Sequence, residues 1–120
     1  MASILVIDDE APIRALLSTA LQAAGYAVVE AANGREGLRS YRQMPADLVI
    51  VDLLMPELSG SDTIIELTRE FLDIKVIAIS GVFGDEYLRK TARLLGARQT
   101  LRKPFGIEEL LSAVRYELAH

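Results

Sequence analysis

The chain has 120 residues, of which 51% are hydrophobic and 25% charged. Its length suits one compact domain, and its apolar content is enough for a full core and excludes a disordered chain. The absence of cysteine excludes disulfides, thiolate metal sites and cysteine nucleophiles. A net charge of -4 argues against binding to a nucleic-acid backbone as the main role. We therefore expect a single domain over residues 1–120.

The sequence also bears on location. It contains neither a basic segment followed by a long apolar stretch nor an apolar run of the roughly 18 residues that a membrane helix needs. We therefore expect no signal peptide and no membrane span, and a cytoplasmic location.

Short apolar runs rich in β-branched residues predict five strands. They lie at residues 4–7, 27–29, 48–51, 76–79 and, more weakly, 100–101. The first, third and fourth runs are continuous rather than alternating, which is typical of strands covered on both faces of a parallel sheet.

Helical patterns separate these runs. The first helix is predicted by apolar residues at helical spacing, namely Ile13, Leu16, Leu17, Ala20, Leu21 and Ala24. Gly25 then marks its end, and Asn33 with Glu36 forms a capping pair that opens the second helix. Further helices are predicted at residues 64–71 and 87–95. The C-terminal helix shows the same apolar stripe, formed by Ile107, Leu110, Leu111, Val114 and Leu118.

Strand and helix thus alternate five times along the chain. Such alternation predicts an α/β fold with a doubly wound, five-stranded parallel sheet, right-handed crossovers and helices on both faces. In a flavodoxin-like strand order of 2-1-3-4-5, ligands bind beyond the carboxyl ends of the strands, where the strand order reverses.

Three acidic residues follow strands that meet at that point. Asp8 and Asp9 end the first strand and Asp52 ends the third. Anions this close repel one another, so the cluster either takes up protons or binds a cation, and carboxylate oxygens suit Mg²⁺. The alternative is that the acids cap the next helix, as Asp9 would do before Ala11 and Pro12.

Ser80 ends the fourth strand and Lys103 ends the fifth. A single serine or lysine at a strand end is usually a turn or solvated residue. Together with the acids, however, they provide what phosphoryl transfer to a carboxylate requires. These parts are a nucleophile, a divalent cation and donors for the charge on the phosphoryl oxygens.

In this combination the sequence resembles the receiver domains of two-component response regulators, whose fold is similar to that of the chemotaxis regulator. The resemblance covers nearly the whole chain. It is carried by residues 4–10, by residues 47–56 with Gly60, by Ser80-Gly81 and by Lys103-Pro104-Phe105.

The resemblance implies a role for each site residue. Asp52 would accept the phosphoryl group, and Asp8, Asp9, Asp52 and the backbone carbonyl of Leu54 would bind Mg²⁺, for which Mn²⁺ could substitute. Ser80 would donate a hydrogen bond to the phosphoryl oxygens and Lys103 would pair with them. The peptide bond between Lys103 and Pro104 would be cis.

The resemblance also implies the protein's partners. The phosphoryl donor would be a sensor histidine kinase or a histidine phosphotransfer protein. The chain would act as a phosphoacceptor that changes a protein-interaction surface, not as a turnover enzyme. From the net charge and the lack of a long apolar run, we expect no direct binding to nucleic acid or to a membrane.

One position departs from the family. Thr100 stands where the family usually has an aromatic side chain that moves inward on phosphorylation. We therefore expect coupling through the loop from Gly81 to Gly84, and output to a downstream protein through the face formed by residues 85–120. Six basic residues and no acidic ones lie between Tyr87 and Lys103. The alternative is that these charges only solvate the surface.

Two other functions are compatible with parts of the sequence. An aspartate-nucleophile phosphohydrolase would also use an acid, Mg²⁺ and lysine, but such enzymes resemble a larger fold with an Asp-x-Asp pair and a substrate-selecting cap. A flavin or dinucleotide binder would share the fold, but the first strand is not followed by a Gly-x-Gly-x-x-Gly loop.

Overall fold

A computed structural model of the protein describes residues 1–55, 59–81 and 86–120, and the side chains of residues 87 and 88 lie outside that description. Within those ranges five parallel strands form one sheet in the order β2-β1-β3-β4-β5. The strands are β1 (Ser3–Ile7), β2 (Ala27–Ala31), β3 (Leu48–Asp52), β4 (Val76–Ser80) and β5 (Gln99–Arg102). The predicted fold class and strand order are confirmed.

A helix follows each strand in the described part of the chain. The helices are α1 (Ala11–Ala23), α2 (Gly34–Gln43), α3 (Gly60–Glu70), α4 (Glu86–Leu95) and α5 (Ile107–Ala119). Gly25 has a φ of 97° just beyond α1, as its predicted role at the helix end requires. The predicted capping pair is also found, since the Glu36 N–H donates to Asn33 Oδ1 at 2.9 Å.

Helix α3 begins four residues earlier than predicted. Its apolar pattern starts only at Ile64, but the first turn is stabilised by polar groups. Ser59 is the N-cap residue, and its Oγ accepts a hydrogen bond from the Asp62 N–H at 3.1 Å. The polar residues of this first turn show no hydrophobic periodicity. The apolar pattern alone therefore predicted a helix start that is too late in the chain.

The core consists of two layers, one on each face of the sheet. Because side chains alternate along a strand, Ile4 and Val6 face one layer while Leu5 and Ile7 face the other. The first layer packs against α1 and α5 through Leu17, Leu21, Leu110, Ala113 and Val114. The second packs against α2, α3 and α4 through Leu38, Tyr41, Ile64, Leu67 and Ala92.

The apolar stripe of α1 is wider than the surface that the sheet covers. Leu17 and Leu21 are buried, but Leu16 is 58% exposed, so its predicted inward position is wrong. Ile107, the first residue of α5, is likewise 41% exposed. These two side chains lie outside the core and contribute to an apolar surface beside the carboxyl edge of the sheet.

None of the described helices combines the length and the apolar character needed to cross a bilayer.

Candidate functional site

Strand register brings the acidic side chains together. Ile7 of β1 pairs with Val51 of β3, so the next residues, Asp8 and Asp52, lie side by side at the carboxyl edge. Asp8, Asp9, Glu10 and Asp52 each offer a carboxylate oxygen within 4.8 Å of those of the others. Asp8 and Asp52 are buried, whereas Asp9 and Glu10 are exposed. The predicted meeting of the three aspartates is therefore found in the structure.

Asp8 is held by the turn that follows β1. Its Oδ1 accepts a hydrogen bond from the Glu10 N–H at 2.8 Å, and its backbone carbonyl accepts one from Arg14 Nη1 at 2.6 Å. Its Oδ2 is buried without a hydrogen-bond partner among the described residues. The N-cap residue of α1 is Glu10 and makes no side-chain cap, so the structure does not support a capping role for Asp9.

Asp52 is only 3% exposed. Its Oδ1 accepts a hydrogen bond from the Leu54 N–H at 3.0 Å, and its Oδ2 lies 3.7 Å from Lys103 Nζ. Burial is the largest influence and raises the pKa of Asp52 to about 6; the charges of Asp8 and Asp9 act in the same direction, while the Leu54 N–H and Lys103 oppose them.

Lys103 and Ser80 reach the same edge through the pairing of β4 with β5. The Lys103 N–H donates to the Ser80 carbonyl at 3.0 Å, which sets Lys103 beside the end of β4. Lys103 Nζ lies 3.8 Å from Glu10 Oε1 as well as near Asp52. The peptide bond between Lys103 and Pro104 is cis, as predicted. The Ser80 side chain is fully buried, and its Oγ has no hydrogen-bond partner among the described residues.

These residues fit a divalent cation. Asp8 and Asp52 bury two carboxylates next to one lysine, and burial raises the pKa of Asp8 as well as that of Asp52. The unpartnered Oδ2 of Asp8 is a hard oxygen donor inside the cluster, and hard oxygen donors are the ligands that Mg²⁺ prefers. A cation here would balance the negative charge that Lys103 alone does not neutralise.

Glu10 had no predicted role, although its carboxylate belongs to the cluster. Its position directly after Asp8 and Asp9 was the available signal. Three predicted features lie outside the described residues, namely Pro56 of the third-strand motif, residues 82–84 of the predicted coupling loop and residue 85 of the predicted output face.

Comparison with known proteins identifies the family. The family model for the response regulator receiver domain matches residues 4–115. The chain belongs to the response regulator receiver domain family. A receiver domain protein from Clostridium thermocellum has a similar solved structure, with a TM-score of 0.94 and 35% identity over 99% of this chain and 95% of that one.

Curated relatives agree with this assignment. A chemotaxis protein CheY from Thermotoga maritima is 34% identical, and the match covers 92% of each chain. A probable transcriptional regulator ycf27 from Porphyridium aerugineum is 41% identical over 93% of this chain. The chain spans only 46% of the length of that relative. The receiver domain functions as a phosphoacceptor in two-component signalling, and nothing in these comparisons favours the phosphohydrolase or the flavin binder.

We predict that Asp52→Asn stabilises the metal-free receiver domain at neutral and mildly alkaline pH. A folded-state pKa of about 6, above the ordinary 3.8, means that the folded protein binds the proton more tightly than the unfolded chain. The contribution of Asp52 to stability is therefore fully present below its ordinary pKa of 3.8 and is lost as the pH rises through the folded-state pKa of about 6. The whole shift corresponds to at most about 3 kcal/mol of unfolding free energy.

Urea unfolding in EDTA at about pH 5 and about pH 8 would measure this difference. Asp73→Asn, which removes an exposed acid near the opposite edge of the sheet, is the matched control. If Asp52→Asn is no more stable than the wild type at the higher pH, the buried charge at Asp52 does not destabilise the fold.

Proposed function

We propose that Asp52 accepts a phosphoryl group from a phosphorylated histidine of a sensor kinase or a phosphotransfer protein. The strongest support is the position of its carboxylate, which is buried among the acids of the cluster and lies 3.7 Å from Lys103 Nζ. A nucleophile with acidic neighbours that can hold a divalent cation on one side and an ammonium group on the other has the parts that phosphoryl transfer requires.

The acids would hold the metal ion. Asp8, Asp9 and Asp52, with the backbone carbonyl of Leu54, would bind Mg²⁺ or Mn²⁺, and Glu10 is close enough to add its charge. When bound, the cation balances the carboxylates and the negative charge of the phosphoryl group. The Leu54 N–H, through its bond to Asp52 Oδ1, fixes the rotation of the nucleophilic carboxylate before the donor arrives.

Transfer forms one bond and breaks another. A carboxylate oxygen of Asp52 attacks phosphorus, the bond from phosphorus to the donor's histidine nitrogen breaks, and the electron pair leaves with the imidazole. Lys103 Nζ, already near Asp52 Oδ2, pairs with a phosphoryl oxygen of the resulting acyl phosphate. The product remains attached to the chain, so the domain is a phosphoacceptor and not a turnover enzyme.

Ser80 would report the modification. Its buried hydroxyl has no hydrogen-bond partner among the described residues, so a new bond to a phosphoryl oxygen breaks none within that part of the chain. The hydroxyl must first turn outwards, because the side chain is fully buried. That movement at the end of β4 is the event that passes phosphorylation to the rest of the fold.

An apolar groove beside Lys103 suits the phosphodonor protein. It has a volume of about 310 Å³. Its lining residues are Ile13, Leu16, Leu17, Lys103, Pro104, Phe105 and Ile107. Lys103 both lines the groove and lies near Asp52, so a protein seated there brings its histidine towards the nucleophile. Helix α1 supports apolar contact, since Arg14 is its one charged residue and is paired with Glu30 at 3.1 Å.

The face formed by residues 85–120 would contact a downstream protein. Lys90 and Arg93 are exposed on α4, and Arg98 Nη1 lies 3.9 Å from Glu117 Oε1, so this positive charge is only partly balanced nearby. Thr100 and Tyr116 line an open groove of about 610 Å³ between β5 and α5. An acidic partner would be steered to this face.

Three further features belong to the proposal. Residues 1–120 act as a single receiver unit, the site of action is the cytoplasm, and the chain works through protein contacts with no direct binding to nucleic acid or to a membrane.

We predict that a small phosphodonor such as acetyl phosphate labels Asp52 in the presence of Mg²⁺, and that Asp52→Asn abolishes the label. Intact mass and peptide mapping would locate it. Asp62→Asn, at the first turn of α3, should retain full labelling. EDTA should prevent labelling, and Asp8→Asn and Asp9→Ala should weaken Mg²⁺ binding. Undiminished labelling of Asp52→Asn would show that another residue is the acceptor.

We predict that Ser80→Ala and Lys103→Ala still bind Mg²⁺ but uncouple the site from the output face. In the wild type, an acyl-phosphate mimic such as beryllofluoride should change amide hydrogen exchange in residues 81–103. Both variants should reduce this change, whereas Thr19→Ala, an exposed hydroxyl on α1, should not. Loss of all Mg²⁺ affinity in Lys103→Ala, or changes confined to α1, would contradict these roles.

We predict that Leu16→Asp slows transfer from the phosphodonor protein by roughly tenfold or more, because it puts a charge in the apolar groove. Labelling by acetyl phosphate, which needs no docking surface, should stay at the wild-type rate. Leu94→Asp is the matched control, since Leu94 is an exposed leucine on α4. Equal effects of the two substitutions on transfer would exclude the groove as the docking site.

A further inference from the structure

The peptide unit between Leu53 and Leu54 is held at both of its polar atoms. Its carbonyl, on Leu53, accepts a hydrogen bond from the Gly60 N–H at 3.2 Å. Its N–H, on Leu54, donates to Asp52 Oδ1 at 3.0 Å. A peptide unit is planar and rigid, so it cannot rotate without losing one of these bonds. Its orientation therefore fixes the Asp52 carboxylate and the direction in which the chain continues through Leu54.

Gly60 can make its contact only because it lacks a side chain. A Cβ at this position would collide with the Asp52 carbonyl oxygen and with Leu53 Cα, and would lie 2.8 Å from the Asp52 carbonyl carbon. All three are backbone atoms at the end of β3, which cannot turn aside as a flexible side chain could. Gly60 does not have a positive φ, so the close approach, and not an unusual backbone conformation, requires glycine here.

We infer that Gly60 is a positioning residue for the phosphoacceptor site, an inference that rests on the proposed function. Through the Leu53 carbonyl it sets the peptide unit that orients Asp52 and that fixes the Leu54 backbone nitrogen, next to the proposed metal-binding carbonyl of Leu54. Gly60 itself belongs to α3, so the first residue of that helix determines the metal-binding geometry at the end of β3. A longer residue would push α3 away from β3 and release the peptide unit.

Gly96 provides a control for the general loss of stability when a glycine is replaced by alanine. It has a φ of 124°, and a Cβ there would lie 2.8 Å from Thr68 Cγ2. It follows α4 and precedes β5, which places it at the amino edge of the sheet, opposite the acids. Gly96→Ala should therefore destabilise the fold without disturbing Asp52 or Leu54.

The test compares the wild-type 120-residue chain, Gly60→Ala and Gly96→Ala by urea unfolding and by calorimetric titration with Mg²⁺. Both variants should be less stable than the wild type. Only Gly60→Ala should raise the Mg²⁺ dissociation constant, by about tenfold or more, as is typical when a residue that orients metal ligands is changed. Its labelling of Asp52 by acetyl phosphate should slow in parallel.

Equal Mg²⁺ affinity in the wild type and Gly60→Ala would overturn the inference alone. So would an equal loss of affinity in both variants, since Gly60 would then act only through stability. A wild-type protein that binds no Mg²⁺ would overturn the proposed function and this inference with it.

If Gly60→Ala fails to fold, a measurement on the wild type tests whether the peptide unit between Leu53 and Leu54 is held in place. The Gly60 and Leu54 amides should exchange slowly, and a scalar coupling across the hydrogen bond should join the Gly60 nitrogen to the Leu53 carbonyl carbon. Exchange of both amides at the rate of an open loop would overturn the inference, because the peptide unit would not be held.

Discussion

The burial of two carboxylates, those of Asp8 and Asp52, at one edge of the sheet is the constraint on which the site depends. The register of β1 with β3 makes them neighbours, and both lie out of water, where an unbalanced charge is costly. One ammonium group, Lys103, faces them from β5 at 3.7 Å from Asp52 Oδ2. The fold thus holds these acids together at a cost in stability, and this cost is recovered as binding energy when a cation reaches the site.

The parallel strands also bring the other residues of the site together, and no additional secondary-structure element is needed for this. Each strand delivers the residue at its carboxyl end to the same edge, so residues far apart in sequence meet there. The β4–β5 pairing adds a direct link, since the Lys103 N–H binds the Ser80 carbonyl. The group that contacts Asp52 and the hydroxyl proposed to report phosphorylation are therefore joined by backbone. A movement of Ser80 acts on the strand that carries Lys103.

The sequence predicted the parts of the structure that depend on local pattern. Continuous apolar runs identified the buried strands, and residues that follow strands, such as Asp52 and Lys103, could be assigned to one edge once the strand order was inferred. Burial at the rim of the core was harder to predict, because an apolar residue such as Leu16 looks the same whether or not a neighbour covers it. The contact of Gly60 with Asp52 depends on the distance between a helix and a strand, which no pattern in the sequence records.

The two proposed interaction surfaces differ in chemistry, and this difference separates their partners. The groove beside Lys103 is apolar, so binding there is governed by buried area and changes little with salt. Exposed Lys90 and Arg93 give the other face a positive charge, so association there is faster with an acidic partner and slows as salt screens the charge. A phosphodonor protein selected by apolar contact would bind weakly to the charged face. A target protein selected by charge would bind weakly to the apolar groove. On these proposals, the receiver domain would distinguish the protein that phosphorylates Asp52 from the protein that binds after phosphorylation.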